Sequence, residues 1–537
     1  MHKRRNFWRN FYLTACNRKI SCTFAPLKIA TITEAAIKQW YLKMKNKTFF
    51  LTLATCLFIT VLHPQDAHIF TMNSAIALAQ EQSPDALIAK NTFRGQFWNY
   101  RSFQATKLPQ MSLSATTPIF NRSIDGVQQP DGTVKYMERQ FLDTYGSVNI
   151  KQQIGFTGGE VSLSSGLYRK DEIYKDTTIV TYTSIPIVNV GFKQPLFQYN
   201  AYKWAKQIEP IRYEEARRTY LESMERIAEK SVTEFFSLLS AQIDLQIAQK
   251  NMAAYDTLFT LSKGRYQMGK IPETDLLQIE LQLLQATSNV ENCKINYDNQ
   301  LIKFKSFLRL QDKLPVTLIP PQTESFILLD VEEVLQKAIS NSSTSLSLQR
   351  RMIEAKSALD KSKMEGRFDA TLSASYGLAA TGNILFDAYR GPKDQQQVSL
   401  GLSIPIYDWG VARGKIKMAE SNLELIQTQV EQEELDMMQD IYIKVARFNM
   451  QQQQITIAAK SDTVAQKSYT LTQQRYMAGK EVTFLDINNA QVQSDNALKN
   501  YYNVMMNYWR SYYELRRLTL FDWEHRKELY FDERKLF

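Results

Sequence analysis

The sequence predicts a mixed fold in which membrane-length β-strands and long coiled-coil helices form one unit that occurs twice. Gln-Pro-Leu-Phe at 194–197 recurs as Ile-Pro-Ile-Tyr at 404–407, and Arg-Tyr-Gln-Met-Gly-Lys at 265–270 recurs as Arg-Tyr-Met-Ala-Gly-Lys at 475–480. Both pairs are separated by 210 positions. Repetition at a fixed spacing indicates a duplicated structural unit. The second observation is that residues 411–477 contain no proline, which predicts a very long helix.

The positive net charge belongs to the start of the chain. Residues 1–47 hold eleven of the 65 basic residues and one of the 55 acidic residues, so the remainder carries 54 of each sign. Binding to phosphate backbones needs an excess of basic surface. The balanced remainder therefore argues against a nucleic-acid partner.

The first 67 residues have the features of a leader. A basic segment at 43–47 precedes a short apolar run at 48–62, as in a secretory signal peptide. The run is shorter than the roughly 20 apolar residues that a membrane-spanning helix needs. Two alternatives stay open, namely a true start at Met44 and lipidation at Cys56.

Residues suited to catalysis or metal binding are scarce beyond the leader. Cys293 is the one remaining cysteine, and His68 and His525 are the remaining histidines. An intramolecular disulfide is then excluded, and His-based catalysis and Cys or His metal sites lack their ligands. The sequence also has no Ser-His-Asp set and no phosphate-binding loop. We therefore expect neither an enzyme nor a cofactor or metal site.

The strand signal is a strict alternation of apolar and polar residues. It occurs at 369–378 and 397–407 in the second copy, and at 111–120 and 188–197 in the first. Each run has about 9 to 11 residues, the length of a tilted membrane-spanning strand. The first copy carries an additional alternating pair, which predicts an extra β-hairpin near 146–168. This hairpin suits either the membrane wall or an external loop.

Long helices follow the strands in each copy. Apolar residues within 411–477 recur at steps of three, four or seven, which is typical of a coiled-coil seam. We predict long helical hairpins at 199–310 and 411–518, with Gly269 and Gly479 as helix-terminating residues. The predicted organisation is a leader (1–67), a first repeat (68–312), a linker (313–330), a second repeat (331–520) and a polar C-terminal tail (521–537).

This order of elements resembles the TolC family of outer-membrane efflux ducts. The resemblance extends from about Thr71 to Leu520 and rests on the helix-to-strand passage at 108–113, the two strand ends and the two Arg-Tyr-x-x-Gly-Lys turns. It implies a membrane β-barrel joined to a long α-helical coiled-coil barrel, both built by a homotrimer. The family contributes four strands per protomer and twelve per trimer. The extra hairpin would raise these numbers to six and eighteen if it joins the wall.

The resemblance also implies a function. The chain would be a passive exit duct in the outer membrane of a Gram-negative bacterium, with helices projecting into the periplasm. It would serve a tripartite efflux or secretion system, together with a periplasmic adaptor and an inner-membrane pump of the RND or ABC type. The alternative is a periplasmic coiled-coil adaptor or structural scaffold, for which a single helical hairpin would be expected.

The resemblance to the TolC family implies that the duct is gated at its periplasmic tip. There each long helix turns back into a shorter return helix. The candidate residues for the gate and tip are Asp275, Arg475, Tyr476, Asp486 and Asn489. In this set an amide stands where the family usually has a second carboxylate. Alternatively, Asp275 and Asp486 are solvated acids at helix starts, where the helix dipole favours negative charge.

The turns and the strand ends supply two further sets of candidates. The turns would dock the adaptor; alternatively, they are no more than well-capped helical hairpins. Aromatic residues at the strand ends suit a membrane-interface belt, or alternatively the packed core of the junction. The docking candidates are Arg265, Tyr266, Gly269, Lys270, Gly479 and Lys480, and the interface aromatics are Phe197, Tyr199, Tyr407 and Trp409.

Overall fold

The computed structural model describes residues 68–174, 177–310, 316–321, 326–478 and 482–537. The predicted leader, its signal peptide and the alternative start at Met44 lie outside these residues. No helix in the described ranges is both long and apolar enough to cross a membrane.

The first repeat contains short helices, a set of strands and one long helical hairpin. Its elements are β1 (His68–Thr71), α1 (Met72–Gln82), α2 (Pro84–Ala105), β2 (Gln110–Gln128), β3 (Val134–Ile154), β4 (Gly159–Ile173), β5 (Thr178–Leu196), α3 (Ala201–Gln267) and α4 (Glu273–Phe307).

The second repeat follows the same order, with two strands between its short helices and its long helix where the first repeat has four. Its elements are β6 (Val316–Ile319), α5 (Val331–Asn341), α6 (Ser343–Glu365), β7 (Asp369–Gly382), β8 (Lys393–Ser403), α7 (Val411–Met477), α8 (Phe484–Thr519), β9 (Phe521–Asp522) and β10 (Lys527–Glu528).

The duplication is closest in the helices. Both α3 and α7 have 67 residues, and their starts at Ala201 and Val411 are 210 positions apart. At about 1.5 Å per residue each is on the order of 100 Å long. The Asn200 side chain caps α3 by accepting from the amide of Lys203 at 3.0 Å. After α3, Gly269 adopts a φ of 68°, the left-handed conformation that commonly ends a helix.

Six strands form one antiparallel sheet in the order β2-β3-β4-β5-β7-β8. The extra hairpin consists of β3 and β4 and lies between β2 and β5. These strands differ in length from our predictions. Four of them have 15 to 21 residues, because pairing continues beyond the apolar alternation into polar and charged segments. Conversely, β8 ends at Ser403 instead of 407, ahead of Pro405, which has no N–H to donate.

The predicted linker is not simply a connection. Its residues Val316–Ile319 form β6, which pairs in parallel with β1. Val316 and Leu318 are buried, whereas Thr317 and Ile319 are exposed. This alternation ties the start of the first repeat to the start of the second.

The C-terminal segment 521–537, predicted as a polar tail, packs on the helices. Phe521 and Trp523 are buried, and the Tyr512 hydroxyl donates to the Asp522 carboxylate at 3.1 Å. Farther along, the Phe531 ring lies 5.3 Å from that of Phe93 on α2. Apolar side chains within this mostly polar segment hold it on the helices.

The helices pack in two successive rows. Near the sheet, α2 packs on α3, α3 on α6, and α6 on α7. Farther from the sheet, α4 packs on α3, α3 on α8, and α8 on α7. The first and last helices of the distal row are therefore α4 and α7.

Candidate functional site

The sheet has one apolar face. Antiparallel partners project to the same side of a sheet, so the pairing registers give rows of side chains across all the strands. On one face these rows are mainly apolar, and many of their side chains are exposed to solvent; Met111 is 72% exposed and Val398 is 76% exposed. Two neighbouring rows are Met111, Ile150, Leu163, Val190, Tyr376 and Gln396, and Gln152, Val161, Phe192, Ala374 and Val398.

The opposite face carries small and polar residues. Two of its rows are Ser112, Asn149, Ser164, Asn189, Gly377 and Gln395, and Gln110, Lys151, Ser162, Gly191, Ser375 and Gln397. An exposed apolar band backed by a polar face is the pattern of a wall between lipid and water.

The two outer strands of this sheet are open. Within the described residues, β2 and β8 each have a neighbouring strand on one side only. Unpaired backbone N–H and C=O groups are costly in lipid, so an apolar sheet of this kind requires further strands at both edges.

Charged residues mark where the first-repeat strands leave the apolar band. Arg139 pairs with Glu172 at 2.9 Å, across from β3 to β4, and Lys170 reaches the same carboxylate at 2.9 Å. Next to them, Arg169 pairs with Asp171 at 2.7 Å. These ion pairs suit an aqueous environment, because desolvating charges is expensive.

The candidate interface aromatics lie between strands and helices, in two environments. Phe197 is 62% exposed and Trp409 is 85% exposed, and both have positive φ values, 63° and 56°. Tyr407 is also exposed, with its ring 4.5 Å from that of Trp409. The Tyr199 hydroxyl instead shares a 2.7 Å hydrogen bond with Ser357. Tyr199 therefore fits a packed junction better than an interfacial belt.

At the far end of the helices, a small core joins the two hairpins. We call it the tip cluster. Its buried members come from α3, α4, α7 and α8, and it is separate from the large core near the middle of the helices. The tip cluster comprises Tyr255, Leu258, Ile279, Tyr469, Tyr476 and Ile487.

Arg265 connects the end of α3 to the end of α7. Its guanidinium donates to the carbonyl oxygens of Tyr476 and Met477 at 3.3 and 3.1 Å and lies 5.4 Å from the centre of the Tyr476 ring. Tyr476 is 9% exposed. The sequence assigned Arg265 only to a docking turn, whereas the structure places it against the predicted gate residue Tyr476.

The other gate candidates lie on or near the surface. Arg475 and Asn489 are exposed, and Asp275 is half-buried in the first turn of α4. Asp486 forms a capping box with Thr483 at the start of α8. The Thr483 hydroxyl donates to this carboxylate at 2.7 Å, which holds the pKa of Asp486 below its usual value. This geometry matches the reading of Asp486 as a helix-start acid.

Of the docking candidates in the first turn, Tyr266, Gly269 and Lys270 are exposed. The Lys270 amide donates to the Arg265 carbonyl at 2.9 Å, which closes the end of α3. The corresponding candidates Gly479 and Lys480 lie outside the described residues.

A set of polar contacts between α3 and α8, which we call the seam, was not predicted from the sequence. Its spacing was a usable signal, because the α3 members are separated by seven and four residues and so share one helix face. The contacts are Asp244 with Lys499 at 2.8 Å, Asn251 with Asp495 at 2.7 Å, and Tyr255 with Asn488 at 2.8 Å.

Helices α7 and α4 each expose an apolar stripe. Along α7, the stripe recurs every seven residues, which is the spacing of a coiled-coil contact. Along α4, exposed apolar residues follow heptad steps with polar interruptions. The stripes consist of Ile443, Met450, Ile457, Val464 and Leu471 on α7, and Leu277, Leu281, Leu284, Ile295 and Ile302 on α4.

Comparison with known families agrees with this architecture. The sequence profile of the outer membrane efflux proteins matches residues 160–308 and 367–519. The chain belongs to the outer membrane efflux protein family. The predicted resemblance is thereby confirmed, and the family consists of transport channels rather than enzymes.

Solved structures of membrane proteins share the fold of this efflux protein. The CmeC outer membrane channel of Campylobacter jejuni aligns with a TM-score of 0.59 at 14% identity, covering 86% of this chain and 88% of CmeC. VceC of Vibrio cholerae aligns at 0.59 and 13% identity, covering 83% and 95%. A Pseudomonas aeruginosa membrane protein aligns at 0.60 and 13%, covering 86% and 92%. A search of curated protein sequences found no match.

Proposed function

We propose that this efflux protein is a passive exit duct that three copies build in the outer membrane. The observation that carries the proposal is the sheet with one apolar face, one polar face and two open edges. Pairing of β8 in one copy with β2 in the next would satisfy both edges and turn the polar faces toward a shared lumen.

The helical stripes support the same assembly. They lie on α4 and α7, the two outer helices of the distal row. In a ring of copies, α7 of one chain meets α4 of the next, so the exposed stripes cover one another. The interior of the resulting cylinder would project into the periplasm and carry solutes to the lumen of the wall.

We place the gate at the tip and the adaptor at the turns. Tyr476 and Arg265 hold the two hairpins of one copy together. Contact with a periplasmic adaptor at the two turns would favour a wider arrangement of the helices, as differential binding to two states requires. The energy for transport would come from an inner-membrane pump of the RND or ABC type.

The proposal is tested by purifying the full chain from outer membranes and reconstituting it in planar bilayers. We expect a trimer that dissociates on heating, and discrete conductance steps. A water-soluble monomer that never inserts into lipid would reject the duct and favour the adaptor or scaffold alternative. The described residues argue against that alternative, since they contain two helical hairpins and a six-stranded sheet.

A further inference from the structure

The β3–β4 hairpin occupies the middle of the first-repeat strands. On one side β3 pairs with β2 from Lys151 opposite Gln110 to Val134 opposite Gln128. On the other side β4 pairs with β5 from Glu160 opposite Lys193. Among the described strands, β2 and β5 have no direct pairing, so the hairpin supplies the connection between them.

The hairpin carries both faces of the sheet. Ile150 and Leu163 form part of the apolar rows, whereas Asn149 and Ser162 form part of the polar rows. A hairpin in an external loop has water on both sides and needs no continuous apolar face. The alternation instead matches a strand with lipid on one side and water on the other.

The turn of the hairpin is anchored where strands meet helices. The Asn200 side chain, which caps α3, donates to the carbonyl of Gly155 at 3.2 Å. Gln194 donates to the carbonyl of Thr157 at 3.0 Å, and Gln152 donates to that of Lys107 at 3.0 Å. The turn between β3 and β4 therefore lies at the end of the sheet nearest the helices, where β2 begins and β5 ends.

We infer that the membrane wall contains eighteen strands, six from each copy, with the β3–β4 hairpin as a full part of it. This inference rests on the proposed trimeric duct. Barrel diameter grows roughly linearly with strand number, so this wall is about one and a half times as wide as a twelve-stranded wall. Walls of 16 to 18 strands leave an aqueous channel.

The inferred width and the polar lining together indicate a class of solute. Small residues such as Ser162, Ser164 and Gly191 line the polar face and leave the lumen open. The membrane wall then admits bulky hydrated solutes, and selection by size falls to the helical tip.

The test is thiol labelling of single cysteines in lipid-embedded protein, in a Cys293→Ala background. On the hairpin, Ser162→Cys faces the lumen and Leu163→Cys faces lipid. We expect a membrane-impermeant maleimide to react at least about tenfold faster at position 162 than at position 163. The matched control pair on β7 is Ser373→Cys and Leu372→Cys, at neighbouring polar and apolar positions.

The control pair separates this inference from the duct itself. If position 373 is labelled faster than position 372 on β7 but positions 162 and 163 are labelled equally, the eighteen-stranded wall is rejected. The proposed duct itself is not contradicted by that result. Equal labelling on β7 would reject the membrane wall altogether. A second pair on β3, Asn149→Cys and Ile150→Cys, repeats the measurement should a β4 variant fail to fold.

Discussion

The duplicated turns have the same sequence pattern but different surroundings. Arg265 is half-buried and contacts Tyr476, whereas its counterpart Arg475 is exposed. Likewise Tyr476 is 9% exposed and its counterpart Tyr266 is 40% exposed. Within one chain, the first turn therefore supplies the cation and the second supplies the buried ring. Duplication copied the residues, and packing between the hairpins gave each copy a different contact.

The largest expected effect comes from the two tyrosines. Tyr476→Ala removes a ring from the tip cluster and should cost about 2 to 4 kcal/mol of tip stability, with increased conductance in planar bilayers. Tyr266→Ala, the matched control, should change the stability of the isolated chain by less than about 1 kcal/mol. Denaturant unfolding and single-channel recording measure both effects. Equal effects would show that the two turns are equivalent after all.

Substitution of the two arginines should also destabilise the first turn and the second turn unequally, but by less than substitution of the tyrosines. Arg265→Ala loses two hydrogen bonds and the contact with the Tyr476 ring, an expected loss of about 1 to 2 kcal/mol. Arg475→Ala, at an exposed site, should stay within about 0.5 kcal/mol. Unfolding midpoints of the two variants give the comparison. A loss for Arg475→Ala as large as that for Arg265→Ala would contradict the one-sided contact.

The seam should make the stability of the protein depend on pH. Burial raises the pKa of Asp495 above its ordinary value. The folded state then binds the proton more tightly than the unfolded state, so stability falls as pH rises from about 4 through the raised pKa. Asp495→Asn should remove this slope, and Asp275→Asn should leave it. Unfolding midpoints between pH 4 and 7 test the expectation, which fails if both variants keep the wild-type slope.

The smallest effect is expected at the capping box of α8. Hydrogen bonds lower the pKa of Asp486, so its contribution is present above the unfolded pKa near 4 and is lost as pH falls through the folded value. Asp486→Asn should lower the unfolding midpoint slightly at pH 7, and by less as the pH falls below 4. A change in conductance without any change in stability would instead favour a gating role for this carboxylate.

Strands and helices differed in how far they could be predicted. The starts of α3 and α7, at Ala201 and Val411, are 210 positions apart, which is the spacing of the repeated motifs. Each helix was expected to continue until a turn, and α3 does so up to the turn at Gly269. Strand ends were harder, since β2 and β3 continue beyond their apolar alternation. Backbone pairing extends those strands, and pairing leaves no periodic signal in charged segments.

The candidate site was predicted at the level of segments and less well at the level of partners. The sequence marked the turns, the tip and Tyr476 as candidates, but it did not predict that Arg265 contacts Tyr476. The seam residues Asn251 and Asp495 lie 244 positions apart, and a pairing over that distance has no local signature. The same limit applies to Phe531 in the C-terminal segment, whose ring packs against that of Phe93 on α2, far away in the sequence.

By itself the sequence determined the duplication, the long helices, the alternating strands and the family, because each depends on local periodicity or on repeated motifs. Only the tertiary structure decided that the extra hairpin lies inside the sheet and that the two turn motifs, which share one pattern, make different contacts. Both outcomes depend on which segments, hundreds of residues apart, satisfy one another's hydrogen bonds and cover one another's apolar surface.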